Sequence, residues 1–138
     1  MTTAPTPEEA YRDAPSLPAE MSEDMGSLAQ YIAGELPAHQ WREYRLRHAA
    51  LADRNALLAV ATAAHYARTA QAREARELRE EMVKAAAAAA VELQEWDREH
   101  GTTLGPLGPD GKDACGYVRS EYLAWATGRP NSPEEVAK

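Results

Sequence analysis

From Ala38 to His100 apolar positions recur at helical spacing, and no proline or glycine interrupts them. Alanine, arginine, glutamate and leucine fill most of the stretch, and Ala85–Ala90 is an unbroken alanine run. These are strong helix formers, so the pattern predicts a long helix over about residues 38–100, with Pro37 suited to its first turn. Counted in sevens, Leu57, Ala61, Ala64, Ala75, Leu78, Met82, Ala85, Ala89 and Trp96 share one two-position frame, interrupted at Arg68, Gln71 and Glu92. That is a coiled-coil-like seam with a narrow contact. Its candidate partner-helix residues are Leu57, Ala61, Ala64, Leu78, Met82, Ala85, Ala89 and Trp96. An earlier stripe, Tyr44, Leu51 and Leu58 alternating with His48, Asn55 and Thr62, is offset from it by one residue, which predicts a bend or change of register.

Unbroken, this helix would be about 95 Å long, a length rare in small domains. Either it pairs with another helix or it folds on itself. The apolar seam is emptiest at Arg68–Glu74, the best place for a hinge. Nothing there is a strong turn residue, so the expectation is a continuous or slightly bent helix.

The flanks read differently. Residues 1–22 hold four of the nine prolines among acids and small residues, a composition that predicts a disordered acidic arm. Residues 23–128 form the expected helical domain. A short helix fits Ser22–Leu36, capped by Ser22, with Met25, Leu28, Ile32 and Leu36 on one face and Gly34 and Pro37 ending it. Gly101 closes the long helix, a Gly/Pro loop spans 101–116, a short aromatic helix covers 117–127 and a tail follows over 129–138. Trp96, Trp125, Tyr117, Tyr122 and Leu123 are expected to pin the aromatic helix onto the end of the long one. No alternating pattern predicts a strand, so the fold class is all-α.

Composition sharpens this picture. The large aliphatic and aromatic content is low, with no phenylalanine and Ile32 the sole isoleucine, so an alanine-built core is thin and needs a second helix to close it. Twelve arginines against three lysines suit a GC-rich coding sequence, and the expected source is a high-GC bacterium or one of its plasmids or phages. The net charge of −7 is uneven: residues 1–37 and 85–138 are acidic, whereas 38–84 are net basic. Cys115 is the lone cysteine, so the fold needs no oxidising compartment. The acidic start does not read as a signal peptide, and the longest apolar stretch, Asn55–His65, is too short to span a bilayer. A cytoplasmic protein with no membrane partner is expected.

Catalytic and cofactor patterns are missing. The glycines of 101–116 lack phosphate-loop spacing, and the Pro109 ring removes an amide donor from Gly108–Lys112. His39, His48, His65 and His100 are scattered without a metal-binding spacing. Cys115 has an acid, Asp113, beside it and no nearby histidine, which is the wrong setting for a nucleophile. The expectation is therefore no catalytic residue, no cofactor and no metal. The remaining feature is an arginine-bearing helix start. Trp41, Arg42, Arg45 and Arg47 combine charge with aromatics as a nucleic-acid contact would. Further along, Arg73, Arg76 and Arg79 interleave with glutamates in the manner of a solvated helix face. The expected function is a non-catalytic helical interaction protein (adaptor, regulator or assembly factor) that binds itself or another protein through the long helix. The alternative is a DNA-associated accessory or regulatory protein using Trp41, Arg42, Arg45 and Arg47.

Overall fold

The stretch from Ala38 to His100 is a helical hairpin. The computed structural model describes residues 3–128. In chain order its helices are α1 (Pro7–Ala10), α2 (Leu17–Ile32), α3 (Trp41–His65), α4 (Ala72–His100) and α5 (Ala114–Gly128), with a 3-10 turn at Ala38–Gln40 leading into α3. The described residues contain no strand, as the all-α reading expects. The predicted tail, 129–138, lies outside the described residues.

The break falls between Tyr66 and Gln71, inside the region where the seam is weakest. Thr69 makes the turn: its hydroxyl donates to the Tyr66 carbonyl at 2.8 Å and accepts the Gln71 amide at 3.2 Å. A threonine hydroxyl serving both partners gives the backbone a local alternative to continuing the helix. The gain from folding back is a closed core. Arg42, near the start of α3, meets Asp97, near the end of α4, so the two helices run antiparallel over their whole length.

The hairpin closes on small residues. Leu46, Ala49, Ala50, Ala56, Ala59 and Ala63 are buried on α3, and Ala75, Ala86, Ala89, Ala90 and Leu93 on α4. Of the predicted frame only Ala75 and Ala89 are buried. Leu57, Met82 and Trp96 are half-buried, and Ala61, Ala64, Leu78 and Ala85 are exposed. The correction has a simple cause. The frame was counted through residues 66–71, where the chain turns, and the run Ala85–Ala90 carries no register of its own. On α4 the frame is right at Ala75, Met82 and Ala89 but one residue short at Leu78 and Ala85, where the inward positions are the half-buried Arg79 and the buried Ala86.

α5 packs across the other side of the hairpin, where Tyr117, Val118 and Tyr122 join Leu46, Ala49, Ala50, Ala90 and Leu93 in the core, with Trp125 against them. Trp96 stands apart from this cluster. It stacks on His100 with ring centres 3.9 Å apart, meets Trp41 edge-on and receives the Arg45 guanidinium 4.3 Å above its ring. Gly101 ends α4 in the left-handed region at φ +63, where a side chain would be strained.

Residues 3–22 are not a free arm. α1 carries a capping box between Thr6 and Glu9, and Tyr11 packs edge-on to Tyr122 with ring centres 5.3 Å apart. α2 begins at Leu17, five residues before the expected cap, with Ser16 accepting the Ala19 amide at 3.3 Å. The proline-rich composition misleads because Pro7 and Pro18 occupy helix first turns, where their missing N–H costs nothing. The α2 face is corrected as well. Leu36 is buried, but Met25, Leu28 and Ile32 are exposed.

Candidate functional site

Two ionic clusters are buried in this fold. In the first, Arg42 donates to both oxygens of Asp97, at 3.0 and 2.7 Å, and to Glu121 at 2.6 Å. Glu121 also accepts the Leu104 and Gly105 amides, each at 2.6 Å, and its side chain is fully buried. Gly105 must be glycine to come so close: a Cβ there would sit 2.8 Å from the Glu121 carboxylate. Asp97 accepts further hydrogen bonds from Thr102 and from the Tyr117 hydroxyl, the latter at 2.6 Å. Burial pushes the Asp97 carboxyl up, but the bonds from Arg42, Thr102 and Tyr117 outweigh it and hold the group below the usual carboxylate range. Tyr117 moves the other way: burial and its bond to Asp97 raise its phenol well above the usual value.

In the second cluster, Asp53 on α3 accepts both Arg119 nitrogens, at 2.8 and 2.9 Å, and the Tyr11 hydroxyl at 2.6 Å. Burial, followed by the Asp53 charge, raises the Tyr11 phenol far above its ordinary range. The same two causes raise the thiol of half-buried Cys115. A thiol so shifted is a poor nucleophile. Each buried carboxylate is thus met by donors of its own chain. No group of three metal-ligating side chains comes together among the described residues.

The four residues of the nucleic-acid reading are engaged internally. Arg42 is in the first cluster, and Arg45 lies over Trp96. Arg47 pairs with Glu20 and Glu23, each at 3.2 Å, and its guanidinium stands 5.6 Å from the Trp125 ring centre. Trp41 donates its indole N–H to the Leu36 carbonyl at 3.0 Å. They tie α2, α4 and α5 to α3, and they leave no free cationic face at the helix start. The cleft of about 330 Å³ between α2 and α3 is likewise held by its own ions, since its Glu20 and Glu23 face Arg47 and its Asp24 faces His48.

What remains uncovered is apolar. α2 packs on α3, but its backbone nowhere approaches α4. Between them runs an open groove floored by α3. One part, a cavity of about 290 Å³, is lined by Met21, Met25, Leu51, Ala52, Met82 and Ala85, with Asp24, His48 and Asn55 beside them. His48 also lines the adjoining part, about 200 Å³, where Leu28, Tyr44, Ala89 and Glu92 meet. Every methionine after the first residue therefore lines this groove. Past Met21 the floor continues toward the hairpin tip, with Leu58 one turn beyond Asn55 and Leu78 one turn before Met82, both exposed.

Both sequence stripes end here. The stripe Tyr44, His48, Leu51, Asn55 is the groove's α3 side, and Met82, Ala85 and Ala89 its α4 side. Sequence reading took the second for a pairing seam along a rod and the first for a separate stripe offset from it, whereas the hairpin sets them side by side. It missed Met21 and Met25, which sat in the supposed arm and on the supposed inner face. It also missed Asp53, Arg119 and Glu121. For Glu121 a signal existed: it lies one turn from Tyr117 on the inward face of the aromatic helix.

No protein-family model matches the chain, and comparison with curated proteins and with solved structures finds no match. No helix among the described residues is long and apolar enough to cross a membrane.

Proposed function

We propose that this chain is a non-catalytic helical interaction protein, an adaptor, regulator or assembly factor that docks a protein partner on the uncovered face of its hairpin. One observation carries the reading: the buried carboxylates are closed on donors of the chain, while large apolar side chains lie open along the groove between α2 and α4. Met25 is 69 % exposed and Leu78 45 %. Burying a side chain of this size contributes about 1.5–3 kcal/mol. Contiguous exposed apolar surface marks interaction sites and binding grooves. Methionine suits such a surface, because its flexible thioether adapts to the shape laid against it. A reducing cytoplasm suits the lone Cys115. Photocrosslinking tests the reading. A benzophenone side chain at Leu78, on the groove, should give a discrete protein adduct in cells of the source organism, and one at Ala87, on the far flank of α4, should not. Equal labelling from both positions, or none from either, rejects the reading.

A further inference from the structure

We infer that the groove between α2 and α4 takes an amphipathic helix with basic flanks, supplied by a protein other than a second copy of this chain. The inference rests on the docking reading above and names the occupant of that same site.

Shape comes first. The floor from Tyr44 to Leu58 is about 21 Å long, room for about four helical turns. Its walls are themselves helices, and their apolar residues recur at three- and four-residue spacing: Met21, Met25 and Leu28 on α2, and Leu78, Met82, Ala85 and Ala89 on α4. A helix laid between two helices matches such ridges, with its own anchors at i, i+3 or i+4, and i+7. An extended strand would find no free sheet edge here, since the described residues contain no strand.

Charge then selects the helix. The rim is acidic along the α4 wall. Glu92 and Asp24 line the groove, and Glu74 and Glu81 stand one turn from Leu78 on the same side of α4. α2 carries no base; its Asp24 faces His48, and its Glu20 and Glu23 turn to Arg47 in the cleft on its other side. The bases of α4 look elsewhere: Arg76 is nine residues from Ala85, on the opposite side of the helix, half-buried Arg79 takes an inward position, Lys84, two residues past Met82, is turned well away from it, Arg73 pairs with Glu77, and Arg98 pairs with Asp110. Of the two basic side chains in the groove, His48 pairs with Asp24, and Arg45 lies over the Trp96 ring and keeps its charge, so one cation stands against Glu74, Glu81 and Glu92. A second copy seated on the same groove would bring Glu81 and Glu92 against their own counterparts, in a chain of net charge −7. Like charges facing each other suppress that pairing, whereas lysines or arginines beside an apolar stripe complement the rim.

The test uses the full chain and two fluorescent peptides of about 16 residues, sharing one leucine stripe, one flanked by lysine and one by glutamate. Fluorescence anisotropy should show the lysine peptide binding at least about tenfold more tightly, with the preference shrinking as salt is added. Met25→Glu and Leu78→Glu, both at exposed positions the fold does not need, should each weaken it by at least about tenfold, and Glu81→Lys with Glu92→Lys should erase the preference. Equal binding of both peptides, lost in Met25→Glu, overturns the charge argument and leaves the docking reading standing. If neither peptide binds and light scattering finds a dimer that Leu78→Glu dissociates, the occupant is a second copy, and the inference fails while docking survives. If neither binds, the chain is monomeric and the Leu78 crosslinker finds nothing, both fail.

Discussion

Arg42 and Asp97 lie fifty-five positions apart in the sequence and meet through two hydrogen bonds, the shorter 2.7 Å, with Glu121 on the same guanidinium at 2.6 Å. This contact sets the register of the hairpin and seats α5 against it. Burial works against the Arg42 charge, but the bonds to Asp97 and Glu121 more than offset it, and its pKa is raised. Arg42→Ala would leave two carboxylates buried without their cation. Breaking a buried ion pair from one side costs about 3–5 kcal/mol, a large part of a small domain's stability. Urea denaturation followed by circular dichroism should show that loss. A midpoint within experimental error of the parent would mean that water reaches the cluster.

Helix content was legible because it depends on local properties: propensity, spacing and the absence of breakers between Ala38 and His100. The hairpin was half legible. The weak seam at Arg68–Glu74 marked the place, but the turn depends on a Thr69 hydroxyl finding two backbone partners, and threonine is also tolerated inside helices. The groove was legible as two stripes but not as a groove, because its shape exists only after α3 and α4 fold together and α2 lies across one side. The ionic clusters were out of reach for the same reason. Asp53 and Arg119 are sixty-six positions apart, and nothing local to either announces the other.

The hairpin itself is open to a direct distance measurement. Spin labels at Leu58 and Glu81, in a Cys115→Ser background, would sit about 35 Å apart on a continuous helix at the usual rise per residue. In the hairpin they lie on neighbouring helices whose axes are about 8–10 Å apart. Double electron–electron resonance should return the short distance. A dominant long one restores the rod.

The N-terminal segment should matter to stability. Tyr11 anchors it, donating to Asp53 at 2.6 Å while its ring meets Tyr122. Tyr11→Phe removes a hydrogen bond to a charged group, worth about 1.5–3 kcal/mol, with the lower end expected because Arg119 still holds Asp53. Deleting residues 1–16 removes the ring contact as well and should lower the urea midpoint further. An unchanged midpoint after deletion would make the segment the free arm that its composition suggests.

His48 gives α2 a dependence on pH. Its ring lies 3.0 Å from Asp24 on α2, and Tyr44 and Glu92 are the other groups around it. The hydrogen bond that its ring donates to Asp24 raises its pKa, burial opposes this, and the charges of Asp24 and Glu92 raise it further. A histidine whose folded pKa exceeds its unfolded value of about 6.5 stabilises fully below that value and loses the contribution as pH rises through the folded pKa. α2 should therefore be held more firmly at pH 6 than at pH 8. The side chain is 46 % exposed, so screening keeps the effect to a few tenths of a kcal/mol. Hydrogen exchange of α2 amides, corrected for the intrinsic rate at each pH, should report faster opening at pH 8. His48→Gln should open equally at both. If the parent shows no such difference, the Asp24 contact does not hold α2. If the difference survives in His48→Gln, another group is responsible and the wall of the groove is set elsewhere.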